Sequence, residues 1–354
     1  MQKNKEKIVS IVVILVFLIA GLVFLQLNII KNKKVDNKKP LSVELYSEYK
    51  QKQVKEEKSI ESASKSRNEQ IQTTTIKIEK EKTPTSPPAK TTNPTKPKTY
   101  YPPYVLTNSA TGGKTSSSGA SILDYSNANS GYVMLNYNGS NPKVKTLIKN
   151  SRSGLKRHQF ITRKRGSYEA FPLSQGSGEY SVIVYENISG DTYTPIISKN
   201  VSASIANASP FIRPNQIVSY YSGTNAVKYA AELTRGTSND TQKVNAIYGY
   251  VVKNIKYDHG KAASVQSGYI PSVSATFNSK RGICFDYAAL MAAMCRSQRI
   301  PCRVVAGATP QGQHAWVEVY YNGGWKRMDP TFASEGTPSS YINNSNNYHS
   351  QFYY

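Results

Sequence analysis

The sequence predicts an α+β protein in which an antiparallel β-sandwich, residues 105–208, precedes a region of helices followed by strands, residues 209–354. Three observations carry this prediction. Between 105 and 208, short β-branched and aromatic runs alternate with Gly, Asn, Ser and Pro at close spacing, the pattern of an antiparallel sandwich. From about residue 225 the apolar residues take up helical spacing. From residue 314 they alternate at period two, as in a strand with one buried face.

The chain opens with a short tail, residues 1–7, carrying Lys3, Lys5 and Lys7. Residues 8–30 follow with no charge and only Ser10, Gln26 and Asn28 as clearly polar side chains. About 20 apolar residues span a bilayer core, so a single transmembrane anchor with a cytoplasmic tail is expected. No A-x-A cleavage site follows and no cysteine lies near, which favours an uncleaved anchor without a lipid. Lys31, Lys33, Lys34, Lys38 and Lys39 lie just beyond the span, and the positive-inside rule alone would hold that flank inside. A short tail, one anchor and a long spacer fit a surface protein, so the C-terminal part is expected outside the cell. Residues 31–104 read as a disordered Lys/Pro/Thr-rich linker, and its stretch 83–103 is expected to be extended and semi-rigid.

The formal net charge is +23. Residues 1–104 carry 20 basic against 10 acidic side chains and residues 105–354 carry 25 against 12, so the excess (+10 and +13) is spread along the chain. Such a balance suits an anionic neighbourhood, a membrane surface, an acidic wall polymer or nucleic acid, or serves solubility. No helix-turn-helix, RNP-type or zinc-finger pattern is present, and nucleic acid is not an expected partner.

Within the β region, strands are expected over 131–137, 143–149, 158–164, 179–187 and 191–198. Helices are expected over 225–234 and 240–255; in the second, Val244, Ile247, Val251 and Ile255 share a face and Asp240 can cap the first turn. A Gly/Ser-rich loop, 256–280, is expected next, then a helix from Cys284, then strands, then a polar tail, 333–354.

Residues 281–332 carry the chemistry. Arg281 and Gly282 precede Cys284, and a nearly all-apolar helix follows, with Tyr287, Ala288, Leu290, Met291, Ala292, Met294 and Cys295. A thiol in the first turn of a buried helix faces unpaired N–H groups and the positive end of the helix dipole, which stabilise a thiolate. The same N–H groups can hold the oxyanion that forms on an attacked carbonyl. His314 opens the run HAWVEVYY, in which His314, Trp316, Glu318 and Tyr320 share one face. Of the three other histidines, only His259 competes with it as a base; His158 lies among basic residues and His349 in the tail. Asn322-Gly323 is a two-residue hairpin turn. With that turn Tyr321 pairs with Gly324 and Trp316 stands opposite Asp329, so His314 is the diagonal neighbour of Asp329 on one face. A three-residue loop would place the two on opposite faces. Pro330 should end the strand.

All three cysteines fall within residues 284–302, which is no disulfide framework. Cys295 and Cys302 are expected as buried free thiols, with a bridge between them as the alternative. A zinc site from Cys284, Cys295, Cys302 and His314 lacks the close paired spacing of zinc ligands. No metal or cofactor is expected.

The segments VNAIYGYVVKNIKYD (244–258), RGICFDYAALMAAMCRSQRIPCRVVAG (281–307) and HAWVEVYYNGGWKRMDPTF (314–332) together resemble the transglutaminase-like superfamily of papain-related thiol enzymes. The resemblance spans under a third of the chain and implies a papain-like core, with Cys284 as nucleophile, His314 as base and Asp329 as the carboxylate that orients it. Asp286 also fits the family pattern and is read as a structural hydrogen-bonder near the helix start. No acidic cluster resembles the calcium sites of animal transglutaminases, so calcium activation is not implied. The function expected is a surface thiol acyl-transfer enzyme acting on amide bonds of surface protein or wall peptide, with hydrolysis preferred over transfer to an amine. The alternatives are transglutaminase-type crosslinking and, from another class, a silent adhesion module.

Overall fold

The computed structural model describes residues 100, 102–153, 158–162, 165–206 and 208–354. The expected anchor, 8–30, and nearly all of the expected linker lie outside the described residues. Among those described, no helix is long and apolar enough to cross a membrane.

The β region forms strands β1 (Thr115–Ser118), β2 (Ser121–Asp124), β3 (Tyr132–Asn136), β4 (Val144–Asn150), β5 (His158–Ile161), β6 (Glu169–Pro172), β7 (Gly178–Ser189) and β8 (Thr192–Ala203). They make two antiparallel four-stranded sheets, ordered β1-β2-β3-β6 and β5-β4-β7-β8. In β4 the alternation is plain: Val144, Thr146, Ile148 and Asn150 are buried while Lys149 is exposed. The two sheets bury one core, with Leu123, Val133, Leu135 and Phe171 from the first meeting Val144, Ile148, Phe160, Val182 and Val184 from the second. All five strands expected from sequence are present. β1, β2 and β6, each of four residues, were not expected; they are too short for their alternation to stand out from the surrounding Ser and Gly.

The second region begins with helices α1 (Asn225–Leu233) and α2 (Asp240–Asn254). Asn239, not Asp240, caps α2: its side chain accepts from the N–H of Gln242, and Asp240 occupies the first turn. The expected loop 256–280 is largely ordered structure: a short strand β9 (Lys256–Tyr257), helices α3 (His259–Ser264) and α4 (Val273–Ser279), and only then β10 (Arg281–Gly282), paired in parallel with β9. Asp258 and Ser272 cap α3 and α4 with side-chain oxygens. Polar caps and short helices read as loop because neither helix is long enough to show a period.

Helix α5 (Cys284–Ser297) is the hub, with every residue from Asp286 to Ser297 buried. It packs on the sheet formed by β11 (Cys302–Thr309), β12 (Gly312–Tyr321), β13 (Gly324–Met328) and β14 (His349–Tyr353), in the order β13-β12-β11-β14. Between β13 and β14 lie α6 (Pro330–Ser334) and α7 (Ser339–Asn343). The expected polar tail is therefore corrected: it returns to the sheet as an edge strand, with Ala308 opposite His349 and Val305 opposite Tyr353.

Buried Arg296 ties the pieces together. Its guanidinium donates to the carbonyls of Cys302 (2.8 Å), Arg213 (2.6 Å) and Tyr354 (2.8 Å). Tyr104, expected at the end of the linker, donates its backbone N–H to Ser297. The Tyr354 ring lies 5.9 Å from Phe160 of the β core and 5.9 Å from Phe285 of α5, so one side chain touches both cores.

Candidate active site

Cys284 is the first residue of α5, partly buried. The N–H groups of Asp286 and Tyr287 return to the carbonyl of Ile283, while helix geometry leaves those of Cys284 and Phe285 without intrahelical acceptors. Asp286 closes the turn: its Oδ2 accepts from the N–H of Ile283 at 2.9 Å. Gly282 is required here, because a Cβ at that position would lie 2.6 Å from the Asp286 Cβ.

Asp286 is itself out of water, and two side chains from the expected loop satisfy it. The Tyr269 hydroxyl donates to Oδ1 at 2.5 Å and the Lys261 ammonium to Oδ2 at 2.6 Å. Burial of Lys261 works against its charge, but the hydrogen bonds and charges of Asp286 and Tyr269 prevail and raise its pKa. A buried carboxylate two residues from the thiol is thus neutralised on the spot. Lys261 and Tyr269 carried no sequence signal; they lie 25 and 17 residues before their partner in a segment without visible period.

His314 arrives on β12. Asn322 and Gly323 both have positive φ, 49° and 79°, as a two-residue type I′ turn requires. The ladder then pairs Tyr321 with Gly324 and Val317 with Met328. The ladder ends there, Asp329 is the next residue, and His314 reaches it: Nε2 is 2.7 Å from Asp329 Oδ2. Nε2 being taken, Nδ1 is the ring nitrogen left to serve Cys284, which lies close enough to act on the imidazole. The structure therefore brings together all three expected site residues. His259 stands apart, largely exposed, its Nε2 3.8 Å from Glu335 Oε2; His349 is on the exposed edge strand.

Asp329 is 0% exposed and fully used. It caps α6, Oδ1 accepting from the N–H groups of Thr331 (3.1 Å) and Phe332 (2.9 Å). Oδ2 accepts from His314 and from the Tyr348 hydroxyl at 3.0 Å. Pro330 follows as the first helical residue, where its missing N–H costs nothing. The His314 ring lies flat against Phe332, centroids 4.1 Å apart and planes within 9°, with Trp316 beyond at 6.3 Å. Burial opposes a charged imidazole, yet the charge and hydrogen bond of Asp329, helped by Cys284, outweigh it and push the His314 pKa up to about 10. Tyr348 and the stacking role of Phe332 were missed in the sequence because the former sits in the segment read as tail.

Cys295 and Cys302 are buried free thiols facing each other across α5 and β11. The hydrogen bond that the Cys295 thiol donates to Cys302 and burial together raise the Cys295 pKa. Among the described residues no group of three or more His, Cys, Asp or Glu is arranged to hold a metal ion.

A partly buried thiol at a helix start thus stands near a buried imidazole that is hydrogen-bonded to a buried carboxylate, the residue types nucleophilic catalysis needs. Residues 227–330 match the family model of the transglutaminase-like superfamily. No curated protein matches the sequence. Among solved structures, a candidate cysteine protease from Cytophaga hutchinsonii is similar at 17% identity, over 63% of this chain and 79% of its own, with a TM-score of 0.36. A candidate protease from Parabacteroides distasonis is 13% identical over 59% of this chain and 62% of its own, TM-score 0.28. Red sea bream transglutaminase is 12% identical over 56% of this chain and 47% of its own, TM-score 0.23. The chain thus spans less than two thirds of the last two.

Proposed function

We propose that the chain is a membrane-anchored thiol hydrolase, facing outward, that cleaves amide bonds in surface protein or cell-wall peptide. The observation that carries this reading is the buried His314–Asp329 pair, 2.7 Å apart, with Cys284 at the start of α5 close enough to act on the imidazole. In the proposed reaction Cys284 sulfur attacks the amide carbonyl, and the backbone N–H groups at the start of α5 receive the negative oxygen. His314 gives its proton to the leaving amine, which departs and leaves a thioester on Cys284. Water then loses a proton to His314, attacks the thioester carbonyl and releases the acid, and the thiolate and imidazolium are restored. Asp329 holds the ring in the tautomer that keeps Nδ1 toward sulfur and supports its charge. The uncharged run at 8–30 supports the anchor, and the Pro/Thr/Lys spacer and spread positive charge support work near an anionic wall polymer.

The test is mass spectrometry of surface proteins and wall peptides exposed to the protein or to Cys284→Ala. New free carboxyl ends that require Cys284 are expected. New Gln–Lys bonds would redirect the reading to amine transfer, and no difference between the two samples would leave adhesion without catalysis. Protection of the folded part from protease on intact cells would contradict the outward placement.

A further inference from the structure

The geometry points to Tyr348 as a positioning residue of the site, a fourth member that fixes Asp329 and limits how strongly it draws the His314 proton. This rests on the triad reading above and goes beyond it. Tyr348 lies 19 residues past Asp329 and reaches it only because β14 adds to the edge of the sheet. Its phenol is 8% exposed and its hydroxyl donates to Oδ2, the same oxygen that accepts from His314.

The ring is held on three sides. Trp316 meets it edge-on at 4.9 Å, Phe332 lies at 6.5 Å, and the Arg327 guanidinium sits 4.2 Å over its face. Trp316 and Phe332 are also the rings beside His314, so the phenol and the imidazole are packed by the same pair. Burial and the charge of Asp329 keep the phenol protonated, and therefore a donor, far above its ordinary range.

Two effects follow. With Oδ1 fixed by two backbone N–H groups, the Tyr348 hydroxyl and His314 together leave the carboxylate no freedom to rotate. The hydroxyl also takes a share of the negative charge on Oδ2. A carboxylate with one donor fewer is a stronger partner for the imidazolium. Tyr348 therefore lowers the proton affinity of His314 relative to an Asp329–His314 pair alone, which favours return of the proton to a leaving group. The groups facing the pair are Cys284 from α5, Tyr348 from the segment before β14, Arg327 over the Tyr348 ring, and the Tyr248 hydroxyl, 3.4 Å from the Asp329 carbonyl.

The test separates tempering from simple support. The His314 imidazole is titrated by NMR in a Cys284→Ala background, where the thiol no longer contributes, with and without Tyr348→Phe. Tempering predicts that Tyr348→Phe moves the His314 midpoint upward, by about one pH unit for the loss of one charge-assisted hydrogen bond. A merely structural tyrosine would loosen Asp329 on removal and move the midpoint down. A downward move or no move overturns the proposal. Phe keeps the ring packing; should that variant not fold, 3,5-difluorotyrosine placed at 348 gives a stronger donor, and the midpoint must then fall. An unchanged or higher midpoint there overturns the proposal equally. Iodoacetamide alkylation of Cys284 in the intact protein and in His314→Ala is run in parallel. Equal rates there would reject the triad reading while leaving the NMR result on Tyr348 to stand or fall by itself.

Discussion

Asp124 in the β region and Asp329 in the α+β region are both carboxylates removed from water, at 2% and 0% exposure. Asp124 accepts from the N–H groups of Gly112 (2.7 Å) and Ser126 (2.8 Å), and its work is to fix the chain on either side of β2. Asp329 uses one oxygen in the same way, for Thr331 and Phe332, and spends the other on His314 and Tyr348. Asn150 repeats the first pattern, its amide donating to the carbonyls of Gly176 and Ser177. The β core buries polar groups to hold loops. The α+β core does that too, but adds titratable partners that end at a partly exposed thiol. Burial alone does not mark a site; burial joined to a group that can change its charge does.

The largest expected contrast comes from removing each carboxylate. Asp329→Ala leaves a buried imidazole, two N–H groups and a phenol unpaired and should cost about 3–5 kcal/mol. It should also slow Cys284 alkylation. It would end, in addition, a pH dependence carried by the pair. The His314 pKa is raised, so its charged form contributes stability fully below the ordinary value near 6.5, and that contribution is lost as pH rises through about 10. Urea denaturation at pH 6, 8 and 10.5 should show stability falling with pH in the parent protein and a flatter profile in the variant. Equal slopes would break the contrast.

Phe171→Ala, at the centre of the β core, should cost about 3–4 kcal/mol through cavity formation. Alkylation of Cys284 in the molecules that remain folded should be unaltered. A change in thiol reactivity would show the β core to be part of the site, through the Phe160–Tyr354–Phe285 contacts. Lys261→Met strands the charge of Asp286 at the start of α5. Lys261 is partly open to solvent, which screens the loss, so about 1–3 kcal/mol is expected, with slower Cys284 alkylation. Asp124→Ala should cost least, about 1–2 kcal/mol for the two orphaned N–H groups, and leave alkylation unchanged.

Much of this was legible in the sequence, for identifiable reasons. The long strands β7 and β8 and the helices α1 and α2 each run far enough to display a period, and α5 shows as a long apolar run after Gly282. The His314–Asp329 register could be counted because Asn-Gly permits positive φ at both turn positions and so fixes the hairpin. What was missed was either too short to display a period or dependent on partners distant in sequence. Helices α3 and α4 are held by single caps and by contacts with the rest of the core. Strand β14, the five-residue run HSQFY, becomes a strand only where β11 offers an edge. With β14 unseen, Tyr348 could not be placed, and with α3 unseen, neither could Lys261. Asn239 outranks Asp240 as cap because it alone has the extended backbone that turns its oxygen toward the N–H of Gln242.

The central claim is that Cys284, His314 and Asp329 act as one unit, and a double-mutant comparison tests it without knowledge of the substrate. Iodoacetamide alkylation of Cys284, followed by peptide mapping at pH 7, is measured in the parent protein, His314→Ala, Asp329→Asn and the combined variant. A unit predicts that His314→Ala slows alkylation on the order of 100-fold and that adding Asp329→Asn slows it little further. Parent and His314→Ala proteins reacting at the same rate, or the two substitutions multiplying independently, would contradict it.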